Sequence, residues 1–257
     1  MLPPALTIFR NTVLAGLPAA EMAMLRPHLI RTSLVNGQPI HEAGERIDQV
    51  YFFEHGFASM VAVTDDGGGS VEVGLVGWDS MVGLGVLLNP SAIAFNRTMV
   101  QMPGVAYRMS TTALLAAVED APRLRATLLR ALEVLMAQVA QTAACNSRHA
   151  LSQRCARWLL LAHDRVEGDE LRLTQEFLSL MLAVRRSGVT VALQTLQSEG
   201  LIRSGRGRIV VCDRAGLESA ACECYERVRV FTAAVSLNAP AIDGRASRNG
   251  VLAGAAD

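Results

Sequence analysis

Arg186, Ser187, Thr190, Val191 and Gln194 recur at steps of one and three residues, which places them on one face of an α-helix. The chemistry of that face is recognition rather than bond-making. An arginine fork grips the O6 and N7 edge of guanine, and valine can touch only a thymine methyl. Arg185 stands beside Arg186, and Arg206 and Arg208 lie in a glycine-studded hairpin downstream. With Thr174 and Gln175 these groups suit phosphate oxygens. From Arg172 to Arg208 six arginines face Glu176 and Glu199, a surplus of four positive charges in a chain of zero formal charge. A solvated arginine face that docks protein is the plainer alternative. Paired arginines at the start of an exposed helix, with three more in the hairpin, favour double-stranded DNA.

Local rules build the elements that hold this face. Thr174 is a good N-cap for a first helix whose buried stripe is Phe177, Leu178, Met181 and Leu182. Ala183-Val184-Arg185 forms the connection. The second helix runs to about Ser198, with Val189, Ala192, Leu193 and Leu196 inward. Gly188 lies inside it at a cost of about 1 kcal/mol relative to alanine, which suggests close approach to another backbone, DNA or protein. Gly200 stands at the helix end. Leu201-Ile202-Arg203, Ser204-Gly205-Arg206-Gly207 and Arg208-Ile209-Val210-Val211 then read as strand, turn and strand. This is the layout of a winged helix-turn-helix.

Upstream the pattern changes twice. Residues 1 to about 30 look helical, with Leu14, Leu17, Met22, Met24 and Leu25 as packing residues. From Thr32 to Arg108 glycines punctuate short strands, clearest at 50–53, 58–63 and 71–76, which argues for an antiparallel roll or barrel. A long helix follows from about Pro122 to Asn146. Leu124, Leu128, Ala131, Leu135, Gln138, Thr142 and Cys145 step by four and three along it, the spacing of a coiled-coil seam. Leu129, Leu132, Met136, Val139 and Ala143 form a second stripe. Such a helix needs two partners, the roll and the same helix of a second subunit, and the first stripe is assigned to dimerisation. Residues 146–152 suit a hinge. A further helix is expected from Arg214 to about Val230, and a disordered tail after Phe231.

Five cysteines, at 145, 155, 212, 222 and 224, lack disulfide-scaffold spacing. Cys222-x-Cys224 has no second pair at zinc-ligand distance in the sequence, so no metal site is expected. All 24 basic residues are arginine, a feature taken as compositional. No apolar run reaches the length of a membrane helix, and no signal peptide is evident.

The whole order resembles the Crp/Fnr family of bacterial transcription regulators over roughly residues 15–230. The segment LTQEFLSLMLAVRRSGVTVALQTLQSEGLIRSGRGRIVV carries the likeness, together with Gly37, Gly44, Val50-Tyr51-Phe52, Gly56, Gly77 and Gly83. The resemblance implies an α+β chain: a cyclic-nucleotide-binding-like antiparallel β-roll (15–120), a dimerisation helix and hinge (121–147), and a Crp-type winged helix-turn-helix (148–231), before the tail (232–257). It places an effector pocket at Gly83, Leu84, Arg97, Thr98, Gln138 and Thr142. The family's cyclic-AMP responders follow that glycine with a glutamate for the ribose. Leu84 cannot accept those hydrogen bonds, and unpaired buried hydroxyls cost about 1–3 kcal/mol each. Cyclic AMP is therefore not the expected effector. No cysteine precedes Cys145, so the N-terminal iron–sulfur cluster of the oxygen-sensing branch is not expected either. His28, His41 and His55 are haem-ligand candidates by type alone.

In the reading helix the family's usual glutamate and second arginine are replaced by Ser187 and Val191, which implies a different operator. The expectation is a sequence-specific regulator that binds a pseudo-palindrome as a homodimer in the cytoplasm, with an effector-sensing roll whose ligand is unknown. RNA polymerase and a small molecule are further partners that the resemblance implies, and no membrane partner is expected. The alternative is an effector-binding module whose winged helix docks a protein. No phosphate loop, nucleophile elbow or paired carboxylate marks an enzyme; Asp65-Asp66 sits in a glycine turn.

Overall fold

The computed structural model describes residues 9–63 and 70–235. Asp65-Asp66 and residues 236–257 of the expected tail lie outside them. The chain enters through α1 (Thr12–Ala15) and α2 (Ala19–Leu25), followed by a 3₁₀ turn at Arg26–His28. Asn11 accepts from the Leu14 N–H at 3.3 Å and donates its amide to the carbonyls of Phe53 and Ser80. Fully buried, it ties the N-terminus to the roll. Met24 is 40% exposed; Leu14, Met22 and Leu25 are buried in the core and Leu17 packs against it.

The roll is a five-stranded antiparallel sheet of β1 (Ile30–Leu34), β2 (Pro39–His41), β3 (Gln49–Val63), β4 (Ser70–Val76) and β5 (Arg97–Ser110), in the order β1-β5-β3-β4 with β2 on β5. The segments read separately at 50–53 and 58–63 are one strand. Bulges between Phe53 and Ala58 break its register against β5 and hide the continuity from a period-two pattern. A Cβ on Gly104 would stand 2.0 Å from the His55 carbonyl oxygen, so only glycine lets the two backbones cross there.

Ser110 caps α3 (Thr111–Asp120), which leads into α4 (Pro122–Arg148). Ala121 has no side chain to cap α4. Glu21 of α2 does so instead, accepting from the N–H groups of Arg123 and Leu124 at 3.1 and 2.7 Å; its charge complements the positive helix end. The expected dimer seam is corrected at this point. Leu124, Leu128, Ala131 and Leu135 pack in the roll's own cluster with Val50, Phe52, Met81 and Met109. Gln138 is buried, its amide meeting the N–H and C=O of Leu75 at 3.2 Å each. Thr142 accepts from Arg157 at 2.8 Å. In the second stripe Leu129 (44%), Met136 (64%) and Ala143 are exposed, while Leu132 packs against the roll's cluster and Val139 is half-buried.

The hinge is tighter than the expected 146–152. Helix α4 runs to Arg148 and α5 (Leu151–His163) begins three residues later. The remainder is β6 (Glu170–Leu171), α6 (Gln175–Met181), α7 (Arg186–Ser198), β7 (Ile202–Gly205), β8 (Arg208–Val211), α8 (Arg214–Ala220) and α9 (Cys224–Val235). The single helix expected from Arg214 is thus two, broken at Ala221–Glu223. The second extends to Val235, past the expected start of the tail, and packs on α4.

This C-terminal unit is docked on the roll. Trp158 of α5 donates its indole N–H to Glu72 of β4 at 2.6 Å, and Ser59 of β3 donates to the same carboxylate. Arg165 pairs with Asp79 at 2.5 Å, and Phe57, Val61 and Leu75 share one apolar cluster with α5 and α7.

Candidate nucleic-acid interface

Helix α6 starts as its sequence predicts, with the Thr174 hydroxyl accepting from the Phe177 N–H at 3.1 Å. Leu178, Met181 and Leu182 are buried. Ala183 turns the chain with φ +52°, a conformation that disfavours any residue with a Cβ. Nothing in its type signals that role.

Helix α7 then buries Val189, Ala192, Leu193 and Leu196 and exposes Arg186, Ser187, Val191 and Gln194 along one face. Val191 is 62% exposed, a solvent position that packing does not account for. Thr190 is only half exposed. Its hydroxyl donates to Gln175 Oε1 at 2.9 Å and lies 3.1 Å from the Arg186 carbonyl, which locks the two helices and leaves the Gln175 amide nitrogen for an acceptor. Gly188 has a local explanation. A Cβ there would meet the Leu151 side chain of α5 at 3.1 Å, so Gly188 has a close approach within the chain itself.

The wing is a three-stranded sheet, β6-β8-β7, whose first strand the sequence reading missed. Gln197 of α7 accepts from the Ser204 N–H at 2.9 Å and fixes the wing against the exposed helix. Arg203, Arg206 and Arg208 are exposed on it. Glu170 lies 3.3 Å from Arg172 and 3.8 Å from Arg208, so the positive surplus of the linear count is smaller in space. An exposed pair at that separation contributes little, and Arg208 stays open to a stronger anion. Exposed arginines on two adjoining elements, flanking a face of donors and one apolar tip, match a groove reader in residue type and placement.

Residues 153–220 match the family model of the Crp-like helix-turn-helix domain. This unit is a Crp-like helix-turn-helix domain. The chain around the Crp-like domain has the fold of solved Crp/Fnr regulators. FixK2 from Bradyrhizobium japonicum superposes with a TM-score of 0.64 at 16% identity, over 76% of this chain and 98% of that one. A CRP-family transcriptional regulator from Thermus thermophilus gives 0.61 at 22% identity, over 74% and 96%. The c-di-GMP-responsive global regulator CLP of Xanthomonas campestris gives 0.60 at 19%, over 76% and 99%. No curated protein sequence matches the chain. Among the described residues no helix is long and apolar enough to cross a membrane.

The roll in front of the Crp-like domain holds a cavity of about 330 Å³ lined by Gly83, Leu84 and Thr98, with His41, Asn89, Asn96 and Phe95 among the others. Three expected pocket residues are elsewhere. Arg97 pairs with Glu42 at 3.2 Å outside the lining. Gln138 and Thr142 are held by Leu75 and Arg157. Of the histidines, His28 is exposed and His55 lies 3.2 Å from Glu167. His41 lines the cavity but places its Nε2 on the Gln49 carbonyl at 2.8 Å, and burial lowers its pKa.

Three of the five cysteines, Cys145, Cys222 and Cys224, converge with His149, which the linear spacing did not show.

Proposed function

We propose that this protein is a sequence-specific DNA-binding transcription regulator that acts as a homodimer on a pseudo-palindromic operator. The observation that carries the reading is the exposed face of α7, with Arg186, Ser187, Val191 and Gln194 outward beside the arginines of the wing. Arg186 reads a base. Arg185, Arg206, Arg208, Thr174 and Gln175 hold phosphates. Two heads spaced by about 34 Å would meet successive turns of one groove. A gel shift with fragments of the gene's own upstream region tests this. Retarded bands competed by specific and not by random DNA support it; equal competition by both, or no band, removes it.

The dimer forms through the exposed residues of the second stripe of α4, Leu129, Met136 and Ala143, beside half-buried Leu132 and Val139. Met136→Asp, which places a charge at the centre of that seam, is expected to halve the mass measured by light scattering while leaving the far-ultraviolet circular dichroism unchanged. An unaltered dimer would move the interface elsewhere.

The roll cavity suits a small, predominantly apolar effector. Leu84 stands where a ribose acceptor would be needed, and Arg97 is engaged by Glu42. Such a ligand acts by shifting the balance between docked and released heads, which needs a difference in its affinity for the two states. Arg208→Ala is expected to reduce the slope of log K against log salt by about 0.9 per contact with base preference intact. A changed preference would instead make Arg208 a base reader.

A further inference from the structure

The end of α4 and the link between α8 and α9 meet in a small buried cluster. Cys145 lies in the last turns of α4 and His149 is that helix's C-cap, while Cys222 comes from the α8–α9 break and Cys224 opens α9. Cys145 Sγ and Cys222 Sγ are 3.4 Å apart, as are Cys224 Sγ and His149 Nδ1. All four ligand atoms lie within 4.8 Å of one another, and the three cysteines are buried.

We propose that Cys145, His149, Cys222 and Cys224 form a tetrahedral site for one zinc-class divalent ion. Zn–S bonds of about 2.3 Å and a Zn–N bond of about 2.0 Å set tetrahedral edges near 3.8 Å for S···S and 3.6 Å for S···N. The observed separations need only small side-chain adjustments to meet them. A four-iron cluster puts each thiolate on a different iron and holds them much further apart, so this set is too compact for one. The donors are soft thiolates with one imidazole, a set that favours zinc over calcium or magnesium.

The surroundings complete the chemistry. His149 Nε2 is 3.1 Å from Glu223 Oε1, which places the ring proton on that nitrogen and leaves Nδ1 to bind the metal. The Gln141 amide donates to Cys224 Sγ at 3.0 Å. Coordination converts the three thiols to thiolates and releases their protons to solvent; His149 binds neutral. The loaded site carries one net negative charge, and Arg154 and Arg157 lie close enough to Cys145 to interact with it electrostatically.

The position gives the site its consequence. His149 is the C-cap of α4, immediately before α5 begins the DNA-reading unit. The ion joins segments 77 residues apart and clamps α9 to the helix that precedes the break. Metal occupancy therefore sets how freely the head turns about His149-Ala150.

The test uses the full chain purified under reducing conditions. Elemental analysis is expected to find close to one zinc per chain. Cobalt added to the chelated protein is expected to give visible bands of tetrahedral Co(II) and thiolate-to-cobalt charge transfer, with one equivalent at saturation. Cys222→Ser and Cys145→Ser should each weaken cobalt binding at least about tenfold, whereas Cys212→Ser, at an exposed position, should not. His149→Cys should restore a tetrahedral spectrum of four-thiolate type, which guards against variants that merely misfold. Wild-type protein that takes up no cobalt with its thiols reduced overturns the proposal. So do cobalt bands that persist unchanged in the Cys145 and Cys222 variants, or iron with inorganic sulfide in place of zinc.

Discussion

Arg186→Ala weakens operator binding by about 1–3 kcal/mol per half-site and relaxes one base position. In a symmetric dimer both half-sites are affected, so the total approaches about 2–6 kcal/mol, more than a tenfold loss at the lower bound. The size of the effect follows from placement. Arg186 opens α7 on the exposed face, and Arg185 beside it is exposed as well. The first turn of a reading helix is the part that reaches base edges, and a guanidinium there can bind guanine through two parallel hydrogen bonds. Binding to operators permuted one base at a time measures the outcome. A loss equal on every sequence, accompanied by a lower salt slope, would make Arg186 a phosphate contact. Ser187 and Val191 sharpen the prediction, since neither offers the carboxylate that would accept from a cytosine amine. The preferred half-site should therefore differ from that of family members with a glutamate at the position of Ser187.

Glu72→Gln removes a pH dependence of about 3 kcal/mol from the stability of the wild-type fold. Glu72 lies between roll and head, and burial raises its pKa from 4.5 to about 7 against the opposing hydrogen bonds from Ser59 and Trp158. A carboxyl that holds its proton more tightly when folded stabilises the fold below pH 4.5. That contribution is lost as pH rises from 4.5 to about 7 and stays absent above it. Glutamine keeps an acceptor for the Trp158 indole and cannot ionise, so it should flatten this slope and raise stability at pH 8. His41 works in the opposite direction. Its lowered pKa means stability is lost as pH falls below 6.5, so the comparison must be variant against wild type rather than one profile alone. Urea unfolding of both proteins at pH 5 and pH 8 is the measurement. Parallel shifts in the two would show that Glu72 is ionised in the folded as in the unfolded chain across this range. Because the carboxyl bridges β4 and α5, the same titration should also bias how firmly the head docks.

The helix-turn-helix was legible from its residues because its signals are local. Thr174 caps within three residues, the apolar stripe of α7 repeats within four, and Gly200 ends the helix at φ +74°. The roll's glycines and the long helix were legible for the same reason. Strand β3 was read as two pieces because a bulge shifts the alternation by one residue, and β6 was missed because two residues carry no pattern.

Partner choice could not be read in this way. Two apolar stripes on α4 have the same periodicity, and nothing in their composition says which meets the roll and which a second chain. The roll's shape decides it, burying Leu124 and Leu128 and leaving Met136 outward. Glu21 capping α4 from a distance of about a hundred residues, Glu72 meeting Trp158, and Cys145 and His149 meeting Cys222 and Cys224 are of the same kind. The sequence by itself determined most of the helices and strands and the exposed face of α7, which depend on neighbours one turn or one hairpin away. Tertiary structure alone decided which stripe is core, which carboxylate is buried and which thiols converge, because those depend on contacts that close loops of tens to a hundred residues.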